Sequence, residues 1–143
     1  MKNFYDLTVI DGFDVNIHLG VESRNKNFEL SIHLNDRNVY SDNSHTDVYV
    51  TEKININDNL KLNIKLSDID YSIGHPSIKI KKISVDDIEL IPRFTHLSYY
   101  NNDKNITSPT SIIEFNGEWI LDTKQPIKWW IHEHTGKGWL LKP

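Results

Sequence analysis

Residues Lys53–Leu90 read KININDNLKLNIKLSDIDYSIGHPSIKIKKISVDDIEL, and the spacing of their apolar side chains decides the fold. Leu60, Leu62, Ile64 and Leu66 fall on every second residue. So do Ile78 and Ile80, then Ile83 and Val85, then Ile88 and Leu90. A period of two buries one face of the chain and wets the other, which is how an antiparallel strand sits in a sandwich or barrel. Gly74 and Pro76 lie in the polar connection between the first two runs, where the chain can reverse. The phase changes between Ile80 and Ile83. One extra residue at Lys81-Lys82 keeps both pairs on the same face, so the spacing predicts a β-bulge or a crossing between sheets there. Asp86-Asp87 supplies a turn or second kink, and Pro92 closes the ladder.

The same pattern extends upstream. Phe4–Ile10 reads as a short edge strand and Asp11-Gly12 as a turn. Phe13, Val15, Ile17, Leu19 and Val21 alternate with polar or small residues, as do Phe28, Leu30, Ile32 and Leu34. The polar segment Asn35–Thr46 predicts a hairpin loop with a short strand near Val39-Tyr40, and Val48 and Val50 begin another strand. The expected core contains Val15, Ile17, Leu30, Ile32, Leu62, Ile64, Ile78, Ile80, Ile83 and Val85. Beyond Pro92, RFTHLSYYNNDKNITSPTS reads as a long excursion over the surface. Asn116-Gly117, between Ile112-Phe115 and Trp119-Leu121, reads as a hairpin. The expected whole is an all-β, antiparallel, jelly-roll-like β-sandwich in one domain. Its body is 1–92, and an aromatic C-terminal extension of loop and strands, 93–143, packs on it.

Composition narrows the choices. The 143 residues include no alanine and no cysteine, but 19 Ile, 7 Val, 8 Thr and 15 Asn. β-branched side chains favour strands, and asparagine favours turns over helix. Without cysteine there are no disulfides, thiolate metal sites or cysteine nucleophiles. The net charge is −4, with three arginines, so a basic nucleic-acid-binding face is not expected. Lys79, Lys81 and Lys82 form the clearest basic cluster, and on a strand Lys79 and Lys81 share the solvent face. No apolar run is long enough for a membrane helix, and MKNFYDLTVID lacks the features of a signal peptide.

Few constellations point to chemistry. No G-x-S-x-G elbow, Walker loop or G-x-G-x-x-G is present. The pairs Asp68/Asp70 and Asp86/Asp87 have the residue type a glycoside hydrolase needs, and equally that of solvated turns. The same four acids are the candidate ligands for calcium. His132-Glu133-His134 puts two imidazoles on one side of a strand, within reach of a transition metal. The aromatic set is the strongest lead: Tyr99, Tyr100, Trp119, Trp129, Trp130 and Trp139 all lie in the last third of the chain. On a strand, adjacent Trp129 and Trp130 cannot both point inward, so one of them faces solvent, a sugar or a partner.

The runs FELSIHLNDRNVY, LKLNIKLSD and IKIKKISVDDIEL resemble small jelly-roll modules related to calcium-dependent xylan-binding domains. The tail FNGEWILDTKQPIKWWIHEHTGKGWLL is similar to segments of tailed-phage particle proteins, where a G-x-W strand precedes a proline and a W-I-H segment. The resemblance covers residues 28–90 and 115–141. It implies a non-enzymatic virion structural protein: a decoration, neck, tail or baseplate component assembled in the host cytoplasm. Such a protein would dock onto neighbouring subunits of an oligomeric assembly through its Trp-rich end. The alternative it carries is a carbohydrate-binding module that recognises a polysaccharide through exposed aromatics. Calcium is the one cofactor the resemblance brings with it; no other is expected.

Overall fold

The computed structural model describes residues 12–21, 28–42, 47–55, 57–74, 76–86, 88–104, 109–127, 129–130 and 133. Among the described residues, ten strands run in chain order: β1 (Phe13–Val21), β2 (Glu29–Leu34), β3 (Arg37–Asp42), β4 (Val48–Ile54), β5 (Asn59–Ser67), β6 (Ile78–Val85), β7 (Ile88–Ile91), β8 (Tyr99–Asn102), β9 (Ile112–Ile113) and β10 (Gly117–Pro126). The first sheet has the order β4-β1-β6-β7, with β9 also paired to β6; the second has the order β3-β2-β5-β10-β8. All pairings are antiparallel. The fold is a β-sandwich of two antiparallel sheets.

Alternation produces the layers directly. In β1, Phe13, Val15, Ile17 and Leu19 point inward; in β5, Leu60, Leu62, Ile64 and Leu66 do the same from the facing sheet. All ten residues of the expected core are buried. The phase change is resolved as the spacing requires. His18 pairs with Lys82 and Leu19 with Ile80, leaving Lys81 as the extra residue of a bulge. Lys81 and Lys82 are therefore both exposed, while Ile80 and Ile83 both enter the core. A bulge costs one ladder position; sending two isoleucines into water would forfeit about 1.5–3 kcal/mol for each side chain.

Turns follow the local chemistry. Asn35 and Asp36 both take positive φ (51° and 65°), joining β2 to β3 by two residues. The described part of the polar stretch, residues 35–42, is thus a two-residue turn followed by strand, where a loop with a short strand was expected. Val85 pairs with Ile88, so the turn between β6 and β7 falls at Asp86, with φ of 48°. Phe4–Ile10, Asp11 and the polar connection ESRNKN lie outside the described residues.

Two expectations for the C-terminal third are corrected. The excursion after Pro92 includes β8, an edge strand of the second sheet, because Tyr99–Asn102 pair with β10. Asn116-Gly117 does not form a hairpin: β9 pairs with β6 of the first sheet, whereas β10 lies in the second. The asparagine is recruited elsewhere. Its side-chain oxygen accepts from Ile69 N at 3.0 Å, and its backbone N–H donates to Tyr71 Oη at 2.8 Å. Gly117, with φ of 156°, passes so close to β8 that an added Cβ would meet Asn101 O at 2.1 Å. The glycine permits a close strand crossing there.

Two of the candidate aromatics belong to this framework. Trp119 is fully buried, and its indole N–H donates to Thr110 O at 2.8 Å, tying β10 to the segment before β9. Tyr100 is buried as well; its hydroxyl donates to Phe115 O and accepts from Phe115 N. Burial pushes its phenol up to about 12, because the phenolate would lose its hydration.

Trp119→Ala is expected to cost about 3–5 kcal/mol of stability in urea unfolding, since it empties a core site and leaves Thr110 O without its donor. A loss below about 1 kcal/mol would contradict this packing. Tyr100 should ionise in the folded protein near pH 12, against about 10 when unfolded. With the folded value raised, stability is full below the unfolded pKa and falls as pH rises through the folded one. Ultraviolet titration of wild type and Tyr100→Phe should show one phenol ionising in that upper range only in the wild type.

Candidate functional site

After Pro126 the chain leaves the strand and becomes helical at Ile127, Trp129, Trp130 and Glu133. Proline suits the start of a helix, because its fixed φ matches and its missing N–H is not needed there. The spacing of three places Ile127 and Trp130 on one side, and both are buried. Trp130 packs edge-on against Phe94, with centroids 5.3 Å apart. Trp129, a neighbour on the turn, is 49% exposed. One tryptophan in and one out agrees with the sequence reading, but helical rotation is the reason, whereas a strand had been expected.

The helical turn forms one wall of an open cleft of about 530 Å³ lined by Leu97, Tyr99, Asp122, Thr123, Lys124, Gln125, Trp130 and Glu133. Tyr99 enters from β8, where it pairs opposite Ile120 and stays 44% exposed, while Tyr100 turns into the core. The period of two, at the sheet's edge, gives these adjacent tyrosines opposite roles.

The polar groups are placed by an irregularity in β10. Asp122 pairs with Lys61 and Pro126 with Asn59, so β10 spends two more residues than β5 over this span. Lys124 takes a left-handed conformation, with φ of 58°, and its amide donates to Asp122 Oδ1 at 2.9 Å. Thr123 Oγ accepts from Leu60 N at 3.0 Å and donates to Gln125 O at 2.8 Å, anchoring the bulge. Gln125 Nε2 donates to Glu133 Oε2 at 2.6 Å, joining the bulge to the helical turn. Among the described residues the cleft is thus lined by a tyrosine ring, an indole, two carboxylates, an amide and an ammonium. Such a set can accept and donate hydrogen bonds while one ring offers an apolar face.

Of the six aromatics singled out by sequence, the structure brings Tyr99 and Trp130 together here. Trp129 is exposed on the same turn, Tyr100 and Trp119 are in the core, and Trp139 lies outside the described residues. Asp122, Thr123, Lys124 and Gln125 were missed; only Pro126, which ends β10, hinted at an irregular strand end.

The metal candidates are dispersed. Asp70 accepts from Ser72 N and Ser72 Oγ, and these bonds hold its carboxyl below the usual range. Asp68 takes positive φ just beyond β5 in the second sheet, while Asp86 ends β6 in the first and accepts from Asp14 N at 3.4 Å. Asp87, His132 and His134 lie outside the described residues. Glu133, between the two histidines, is helical, whereas their i/i+2 pairing assumed a strand. Among the described residues, no three His, Asp or Glu side chains gather as a metal-binding group. No helix among them is long and apolar enough to cross a membrane.

No family model matches the chain, and no curated protein matches it. Among solved structures, it is similar in fold to vCBM60, a carbohydrate-binding module, in complex with galactobiose. The TM-score is 0.52 at 8% identity, covering 76% of this chain and 97% of that one. At this identity the likeness is one of fold.

Proposed function

We propose that the protein is a carbohydrate-binding module that holds a neutral oligosaccharide in the Tyr99 cleft. The carrying observation is the combination lining it: an exposed ring beside Asp122, Lys124, Gln125 and Glu133. A pyranose has an apolar face of C–H bonds and a rim of hydroxyls. The face stacks on a tyrosine ring, and the rim hydrogen-bonds to carboxylates and amides. Among the described residues, two carboxylates face one ammonium, which disfavours an acidic sugar because like charges would meet. Fold similarity to a carbohydrate-binding module supports the same reading. The bonds from Thr123 and Gln125 hold the polar groups before ligand arrives, which limits the ordering cost of binding.

A second reading is docking within a virion, and the exposed Trp129 is what favours it. A virion subunit would assemble with other particle components and leave sugars unbound, so the two readings separate experimentally.

Titration calorimetry with galactobiose and with xylo- and cello-oligosaccharides is expected to show binding to at least one series. Tyr99→Ala and Glu133→Gln should each weaken it about tenfold, or roughly 1.4 kcal/mol, with melting temperature nearly unchanged. Trp129→Ala should leave that affinity within about twofold. No binding across the three series, with Trp129-dependent self-association instead, would favour the virion reading.

A further inference from the structure

The outward face of the first sheet carries a second set of groups unlike the first. Register across three strands sets Tyr49, His18 and Lys82 in one row, and Thr51, Asn16 and Ser84 in the next. Neighbouring strands lie about 4.8 Å apart, so each row spans about 10 Å. These six residues, with Ile17 and Val50, line an open groove of about 270 Å³.

Tyr49 is 72% exposed, the greatest value among the large hydrophobic side chains described. Its ring stacks on His18, with centroids 4.2 Å apart and planes inclined by 21°. A stacked pair is a stiff, flat wall, and it gives an aromatic face to water at no cost to the core. The wall is braced from behind. His18 Nε2 lies 3.1 Å from Asp47 Oδ2, and Lys81 Nζ lies 3.5 Å from the same oxygen. Asp47 is occupied by these two groups and does not line the groove. The second row is short and polar: Thr51 Oγ donates to Asn16 Oδ1 at 2.8 Å, which leaves the Asn16 amide group pointing its donors elsewhere.

Charge separates this groove from the Tyr99 cleft. Among the described residues its lining has no carboxylate and one ammonium, Lys82, which makes no ion pair with them. Lys79 is exposed on the same strand by regular alternation, and Lys81 by the bulge. Lys81 is paired with Asp47, and Glu89 of β7 stands opposite Ser84, so the cation this groove offers a ligand is Lys82.

The geometry points to a second carbohydrate site on this face, specific for an acidic sugar: a hexuronate whose ring packs on the Tyr49–His18 wall while its carboxylate meets Lys82. Asn16 serves the ring hydroxyls. The site is independent of the Tyr99 cleft, because it lies on the other sheet and shares no residue with it.

The test is calorimetric titration of the full chain with trigalacturonate, with its methyl ester, and with trigalacturonate in raised salt. Trigalacturonate is expected to bind, and methyl esterification or 0.5 M salt to weaken binding about tenfold, because both remove the ion pair. Tyr49→Ala and Lys82→Gln should each lower affinity by a similar factor, and neither exposed substitution should shift the melting temperature. Tyr99→Ala should leave trigalacturonate binding unchanged. Failure of trigalacturonate to bind, equal affinity for the ester, or insensitivity to Tyr49 and Lys82 would overturn the assignment. Loss of trigalacturonate binding in Tyr99→Ala would place it in the other cleft and overturn it too. Neutral-sugar binding that persists in Tyr49→Ala separates this outcome from the fate of the Tyr99 reading.

Discussion

The register of β1 between β4 and β6 is the constraint on which the first sheet depends. Seven consecutive pairs with β4 and seven with β6 fix every residue of β1 to one side. A one-residue slip would exchange Phe13, Val15, Ile17 and Leu19 for Asp14, Asn16, His18 and Gly20 in the core. The bulge at Lys81 lets β6 satisfy that register although its own apolar pattern is out of phase. Inside, it keeps four branched side chains of β6 in one layer. Outside, it sets Lys81 and Lys82 side by side among the exposed residues of the strand. A packing requirement thereby sets the charge of an exposed surface.

In the second sheet, β10 has a comparable double role. Its first half is ordinary strand, with Trp119 and Leu121 filling the core opposite Ile64 and Leu62. Its second half departs from the ladder, and the departure is held by side-chain bonds of Asp122, Thr123 and Gln125 to backbone or neighbour. Regular strands give rigidity; the irregular end gives side chains that converge. A recognition site needs both, since groups on a mobile loop would have to be ordered by the ligand itself.

The body of the sandwich was legible in the sequence because burial on one face leaves a period of two, and residues such as Leu60, Leu62, Ile64 and Leu66 display it without interruption. Even the bulge was visible, as a change of parity. The C-terminal third was read less well, for identifiable reasons. Asn116-Gly117 has hairpin chemistry, but long-range bonds to Ile69 and Tyr71 claim the asparagine. Tyr99 and Tyr100 were read as a pair, but edge-strand alternation splits them between solvent and core. Trp129-Trp130 were read on a strand, yet they follow Pro126 into a helical turn. The cleft's polar residues carry no motif, since Asp122, Lys124 and Gln125 matter only through a bulge set by pairing with β5. The Tyr49–His18 stack likewise follows from cross-strand register between segments about 30 residues apart.

The central claim, a sugar held beside Tyr99, is tested most directly by residue-level mapping of ligand contact. In ¹H–¹⁵N correlation spectra recorded during titration with a neutral oligosaccharide, perturbed amides should cluster at Leu97–Tyr99, Asp122–Gln125 and Trp130–Glu133, with the opposite sheet silent. A saturating ligand that perturbs none of these amides, or shifts only residues elsewhere on the sandwich, would contradict it.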